Sequence, residues 1–217
     1  MTELVVVPAY NEAAMIGRVV RDLFQHNWNN ILVVNDGSTD ATAYSVKAAG
    51  VKMVSHTINR GQGAALETGN EYARRNSFDV VVHFDGDGQL NAADIKGAIE
   101  KLNSGYDVVL GSRFLDNRSR LPWTKRYLIL PVARFVNYIL TGVSLSDAHN
   151  GFRVLNKLAL EKIRITQSGM AHNSEIVAET KRLGLRYIEY PVEIKYLEYG
   201  QGLKGGIKII FDWIFKS

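Results

Sequence analysis

Along the first half of the chain, short runs of consecutive apolar residues alternate with longer segments whose apolar residues recur at helical spacing. The runs are Leu4-Val5-Val6-Val7, Ile31-Leu32-Val33-Val34, residues 51–55, Val80-Val81-Val82-His83-Phe84 and residues 107–110. Strands apolar on both faces belong to a parallel sheet covered on both sides. Between the first two, Met15, Ile16, Val19, Val20, Leu23 and Phe24 fall on one helical face behind an Asn11 cap. Further helices are expected at 41–49, at about 59–72 and at 92–102. The alternation predicts an α/β fold, with a mostly parallel central sheet and helices on both faces.

Past Arg113 the rhythm changes. A polar loop to Arg120 leads into an apolar helical stretch at 123–140, then a helix carrying His172 and Glu175, then a strand at 190–196. An amphipathic tail follows, with Ile207, Ile210, Phe211 and Ile214 on one face. At 217 residues, a single domain is expected, with 1–113 as its ligand-binding half and 114–217 as an elaboration on it.

Charge and composition narrow the function classes. The net charge of +4 comes from basic residues that scatter rather than cluster, so nucleic acid is not an expected partner. With no cysteine there is neither a disulfide framework nor a thiolate metal site. The opening Met-Thr-Glu-Leu lacks the pattern of a signal peptide, and a cytoplasmic location is expected. The most apolar stretch, 127–145, is interrupted by Pro131, Arg134 and Asn137, so it reads as a packed or interfacial helix rather than a span.

The chemistry concentrates where the fourth run ends, at Asp85-Gly86-Asp87-Gly88-Gln89. Two carboxylates just past a strand can hold one divalent cation that takes its other ligands from phosphate and water. In open α/β sheets such strand ends share one edge, where Tyr10, Glu12, Asp36 and Gly63 line a common nucleotide cleft. Acids suit ribose and base N–H groups, whereas glycines at helix N-termini suit phosphates. Two other nucleotide signatures are absent: no Walker-type G-x-x-x-x-G-K-[ST] occurs, and the first strand turns through Pro8-Ala9-Tyr10-Asn11-Glu12 rather than a glycine fingerprint.

Taken in order, these segments resemble the inverting glycosyltransferases of family 2, which have the GT-A fold. The resemblance rests on Pro8-Ala9-Tyr10-Asn11-Glu12, Val34-Asn35-Asp36-Gly37-Ser38-Thr39-Asp40, Asn59-Arg60-Gly61-Gln62-Gly63-Ala64-Ala65, Asp85-Gly86-Asp87-Gly88-Gln89, Gly111-Ser112-Arg113 and Asp147-x-x-x-Gly151-Phe152-Arg153. Within the family, it points to the branch similar to dolichyl-phosphate mannose synthase, whose short bacterial members glycosylate a polyprenyl phosphate.

The resemblance implies a Rossmann-like nucleotide-sugar-binding half at 1–113 and an acceptor-side half at 114–217. Pro8, Ala9, Tyr10, Glu12, Asp36, Gly63, Asp85 and Gly86 are then expected around the nucleotide. Asp85, Asp87 and Gln89 would hold Mg²⁺ or Mn²⁺, and Asp87 and Arg113 would act in catalysis. Arg113, Arg126 and Arg153 match basic positions near phosphates.

A cation on the departing nucleoside diphosphate lowers the barrier, and a lipid phosphate needs positioning more than a base. A saccharide hydroxyl would need one, and Glu175 stands about where hydroxyl-acceptor members carry their acid. Two departures bear on the acceptor. Leu130 stands where the lipid-phosphate branch commonly has serine, and no clear basic residue occurs around 196–201.

The stretch at 123–140 suits a helix at a membrane surface, with Trp123, Tyr127, Leu128, Pro131 and Phe135 beside Lys125, Arg126 and Arg134. It equally suits a core or homo-oligomer interface. The leading expectation is an enzyme peripheral on the inner face of the membrane, moving a hexose from a UDP- or GDP-sugar to a polyprenyl phosphate. The alternatives are a family 2 transferase acting on a saccharide hydroxyl in cell-surface glycan synthesis, and a non-catalytic sugar-nucleotide-binding subunit that recruits a membrane-protein partner.

Overall fold

The computed structural model describes residues 1–116, 118, 138–139, 142–147 and 150–195. Arg126, Leu130, His149, nearly all of the 123–140 stretch, residues 196–201 and the tail carrying Ile207 to Ile214 lie outside the described residues.

The first half follows the alternation of its apolar runs. Strand β1 (Glu3–Ala9) leads to α1 (Ile16–Gln25), β2 (Ile31–Asn35), α2 (Thr42–Ala48), β3 (Lys52–Ser55), α3 (Gln62–Arg75), β4 (Val80–His83), α4 (Asp94–Asn103) and β5 (Val108–Ser112). The second half adds β6 (Arg153–Asn156), α5 (Lys157–Lys162), α6 (His172–Arg182) and β7 (Tyr187–Pro191). One seven-stranded sheet results, in the order β3-β2-β1-β4-β6-β5-β7. Every pairing is parallel except those of β6, which runs antiparallel to both β4 and β5.

The uninterrupted apolar runs have a simple cause. Successive residues of a strand point to opposite faces, and both faces here are covered. Val5, Val7, Val33, Val80 and Val82 pack with α1 and α4 through Ile16, Val20, Leu23, Ile95 and Ile99. On the other side Leu4, Val6, Leu32, Val34 and Val81 meet Leu66 of α3, Leu160 of α5 and Ile176 of α6. Phe24, expected on the buried face of α1, is instead 38% exposed at the end of that helix.

Two features of the second half differ from expectation. Strand β6 and helix α5 carry no apolar run of their own. In Arg153-Val154-Leu155-Asn156 only the middle pair is aliphatic, and the strand is specified by its neighbours on either side. The late strand lies at Tyr187–Pro191 rather than 190–196. It is an edge strand, so half-exposed residues blur its apolar signal. Among the described residues beyond Pro191, Ile194 forms an isolated bridge with Leu90, and Lys195 N–H donates to the Gln89 carbonyl. Among the described residues, no helix is long and apolar enough to cross a membrane.

Candidate active site

The loops after β1 and β2 are joined side by side at the C-terminal edge of the sheet. Asn11, expected as the cap of α1, takes a left-handed φ of 56°. Its side chain accepts from Thr39 N–H at 2.9 Å, and its own N–H donates to Ser38 Oγ at 3.0 Å. Glu12 N–H donates to Thr42 Oγ1 at 2.8 Å and Ala13 N–H to Asp40 Oδ2 at 3.1 Å. Asn11 therefore ties two loops together, and α1 starts at Ile16 without a side-chain cap. The pairing leaves Tyr10 46% exposed beside Glu12.

Strand β4 delivers the two aspartates to this edge. Gly86 is required by proximity, because a methyl there would come within 2.8 Å of the Pro8 carbonyl oxygen at the end of β1. Asp85 accepts from Gln62 Nε2 at 2.8 Å. Its other oxygen packs against Gly151, where an added methyl would overlap it. Asp87 accepts the N–H of Gln89 at 3.0 Å.

Among the described residues no salt bridge balances these acids. Burial and then the Asp87 charge push the Asp85 carboxyl up to about 6, against which the Arg153 charge acts. Burial also raises Asp87, while burial, then Asp87, Asp40 and Asp85, raise Glu12. A set of carboxylates that raise one another's proton affinity is a natural cation site. Among the described residues no group of three or more His, Cys, Asp or Glu could enclose an ion. Two carboxylates at a strand end suit a hard cation that takes the rest of its shell from phosphate and water.

The other expected nucleotide residues have different surroundings. Asp36 is 2% exposed. Its carboxylate accepts the N–H groups of Arg60 at 2.9 Å and Gly61 at 2.7 Å, with His56 Nδ1 at 2.6 Å. It thus holds the loop that enters α3. Gly63 does not face an open phosphate site. Its N–H already donates to the Ser168 carbonyl at 2.9 Å, and a side chain at Gly61 or Gly63 would overlap the carbonyls of Ser168 or Gln167. The glycine spacing admits the 167–168 segment rather than a ligand.

That segment is fixed by Glu175, the expected acid. The Glu175 carboxylate accepts the N–H groups of Thr166 at 3.0 and 3.1 Å and Gln167 at 3.0 Å, together with the Thr166 hydroxyl. In this structure it ties α6 to the 166–167 segment.

Arg153 is likewise relocated. It is 1% exposed and sits opposite His83 across the β4–β6 ladder, below the aspartates rather than at an open phosphate site. Nη2 donates to Asn173 Oδ1 at 2.5 Å. Burial lowers its pKa to about 10, opposed by Asp85 and Asp147. His172, also buried, points Nδ1 at the Gly169 carbonyl at 2.7 Å, and burial together with the Arg153 charge lowers its pKa to about 4. Among the described residues His83 Nδ1, Arg153 Nε and His172 Nε2 have no partner. Burial thus favours the neutral form of both histidines.

Arg113 leaves the end of β5 and is gripped by Asp147, with Nε to Oδ2 at 2.6 Å, Nη2 to Oδ1 at 2.7 Å and its N–H to Oδ2 at 3.1 Å. Its guanidinium also lies 5.2 Å from the Phe114 ring. The expected motifs contained two contributors whose roles were not assigned. Gln62 stands between the two glycines and reaches Asp85, and Asp147 opens the last motif and fixes Arg113.

Comparison with known proteins bears on the family and the fold. The model of the family described as Glycosyl transferase family 2 matches residues 4–164. Among curated relatives, the chain is 31% identical to UDP-N-acetylglucosamine--dolichyl-phosphate N-acetylglucosaminyltransferase of Methanococcus voltae, over 95% of this chain and 92% of that one. It is 27% identical to polyprenol monophosphomannose synthase of Mycolicibacterium smegmatis, over 95% of this chain and 82% of that one. Glucosyl-3-phosphoglycerate synthase of Mycobacterium tuberculosis, crystallised with Mn²⁺, UDP and glucosyl-3-phosphoglycerate, superposes with a TM-score of 0.75 at 20% identity, covering 98% of this chain and 77% of that one.

Proposed function

The chain belongs to glycosyl transferase family 2 and is a glycosyltransferase of GT-A fold; from this we propose that it moves a hexose from a nucleoside-diphosphate sugar to a polyprenyl phosphate. The engagement of Glu175 carries the choice of acceptor. A saccharide hydroxyl must lose a proton as it attacks, and the acid expected for that task is occupied by Thr166 and Gln167. A phosphate oxygen is already anionic and needs only to be held in line. The relatives named for dolichyl phosphate and polyprenol monophosphomannose, each matched over 95% of this chain, support the same acceptor class.

In this reading the lipid phosphate oxygen attacks the anomeric carbon, and the bond from that carbon to the diphosphate oxygen breaks with inversion. Tyr10, exposed at the β1 edge, half-buried Glu12 beside it and Asp36, through the loop it shapes, form the nucleoside side of the cleft. Asp85, Asp87 and Gln89 would hold Mg²⁺ or Mn²⁺, which when bound neutralises charge on the departing diphosphate. Gln62 and Gly151 keep the Asp85 carboxylate in place. Arg113 stabilises phosphate charge from the β5 side, its fork oriented by Asp147. Arg153 supplies positive charge to Asp85 from below the sheet edge. Work at the inner face of a membrane follows from the lipid acceptor.

The test uses UDP- and GDP-hexoses labelled in the sugar, Mn²⁺, and undecaprenyl phosphate in detergent or vesicles. Label is expected in a lipid product released by mild acid. Label appearing only in a saccharide would overturn the acceptor assignment.

A further inference from the structure

Glu189, an acid outside every recognised motif, holds the backbone of Asp147, the residue that grips Arg113. Glu189 lies on β7, opposite Leu110 in the parallel ladder with β5. Its carboxylate accepts Ser146 N–H at 2.8 and 3.0 Å, Ser146 Oγ–H at 2.7 Å and Asp147 N–H at 3.2 Å. The Ser146 hydroxyl proton therefore goes to Glu189, so Ser112 Oγ must donate to Ser146 Oγ at 2.5 Å. Ser112 in turn accepts Phe114 N–H at 3.2 Å. The turn at 146–147 is thus pinned from β5 and β7 together.

The consequence is geometric. Asp147 is buried, at 5% exposed, and uses both oxygens on Arg113. A carboxylate facing a guanidinium in this two-point fashion fixes the plane of the fork. It can do so only if its own backbone is fixed, and the N–H groups of Ser146 and Asp147 are what Glu189 holds. Removing that acceptor leaves two backbone donors to be satisfied some other way, and the turn must shift to do it.

We propose that Glu189 is a positioning residue that sets Arg113 against the substrate phosphate through the Ser146–Asp147 turn. This rests on the reading of Arg113 as a phosphate-facing residue. The glutamate acts by shape: its Oε1 makes three of the four contacts, and a glutamine carbonyl oxygen can take that place.

A double-mutant cycle on kcat/KM tests the proposal, with thermal melts alongside. Glu189→Ala should lower kcat/KM by about 10- to 100-fold, the scale of a misplaced contact group. Glu189→Gln should restore it to within about threefold of the wild type, since most of the acceptor geometry survives. In an Arg113→Ala background, Glu189→Ala should cost less than about twofold, because the group it positions is gone. Ser146→Ala, which removes one of the donors and disturbs folding less, should show the same coupling on a smaller scale.

An undiminished cost of Glu189→Ala in the Arg113→Ala background would overturn the proposal while leaving Arg113 in place. So would wild-type kinetics for Glu189→Ala. Unchanged kinetics for Arg113→Ala alone would instead remove the premise, and the proposal with it.

Discussion

The acids at the end of β4 and the acid at the start of α6 look alike in the sequence and behave oppositely in the fold. Among the described residues, Asp85 and Asp87 accept a side-chain bond from Gln62 and a backbone bond from Gln89 and form no salt bridge, and burial, joined at Asp85 by the Asp87 charge, raises their proton affinity. Glu175 gathers backbone and hydroxyl donors from Thr166 and Gln167. A carboxylate saturated by donors is a strut, and its free energy is spent on the fold. One left among like charges is stabilised only when a cation arrives. The same contrast separates Arg113, partly open at the sheet edge, from Arg153, buried beneath it.

The contrast breaks or holds on three measurements. The largest effect should come from Asp87→Ala, expected to lower kcat with labelled donor by about 10³-fold or more, the scale for removing charge stabilisation of a transition state. Transfer at the wild-type rate would deny the β4 acids a catalytic role.

Next is pH. Asp85 titrates near 6 in the metal-free protein, above the ordinary carboxylate range, so below that value a cation must displace its proton. Mn²⁺ affinity measured by calorimetry should rise by about tenfold per pH unit up to about pH 6 and then flatten. The stability sign follows from linkage. The native state holds this proton at a pH where the unfolded chain has lost it, so the metal-free protein should lose stability between about pH 4 and 6, and Mn²⁺ should reverse the loss. Metal affinity flat across this window would mean that Asp85 is not a ligand.

The smallest effect on turnover should come from Glu175→Ala. Loss of its charge-assisted bonds should lower stability by about 2–3 kcal/mol in a denaturant melt. The fall in kcat should stay well short of the about 10²- to 10⁴-fold that losing a general base costs. A rate collapse with an unchanged melt would make Glu175 the base and shift the acceptor toward a hydroxyl.

The alternation of the first half was legible because each strand there is buried on both faces, and burial on both faces writes itself as a continuous apolar run. β6 was not, because Arg153 and Asn156 bound a two-residue aliphatic centre whose pairing comes from β4 and β5. Asp85 and Asp87 stood out as a candidate site because they follow a buried strand at the sheet edge where open α/β folds place their ligands. Gly63 was expected in the nucleotide cleft, and in the fold Gly61 and Gly63 instead admit a neighbouring backbone. The carbonyls of Gln167 and Ser168 come from about a hundred residues further along the chain, and no local pattern announces them.

What the sequence by itself determined is the first half of the chain and the family: the strands in chain order, the helices and the acid pair that follows the fourth strand. These are local properties, set by periodicity and by turn chemistry within a few residues. Only the tertiary structure decided which charged residues of the second half are available. Whether Glu175, Arg153 or Glu189 meets a substrate, a buried neighbour or a backbone N–H depends on partners distant in sequence, and on the desolvation that burial among them imposes.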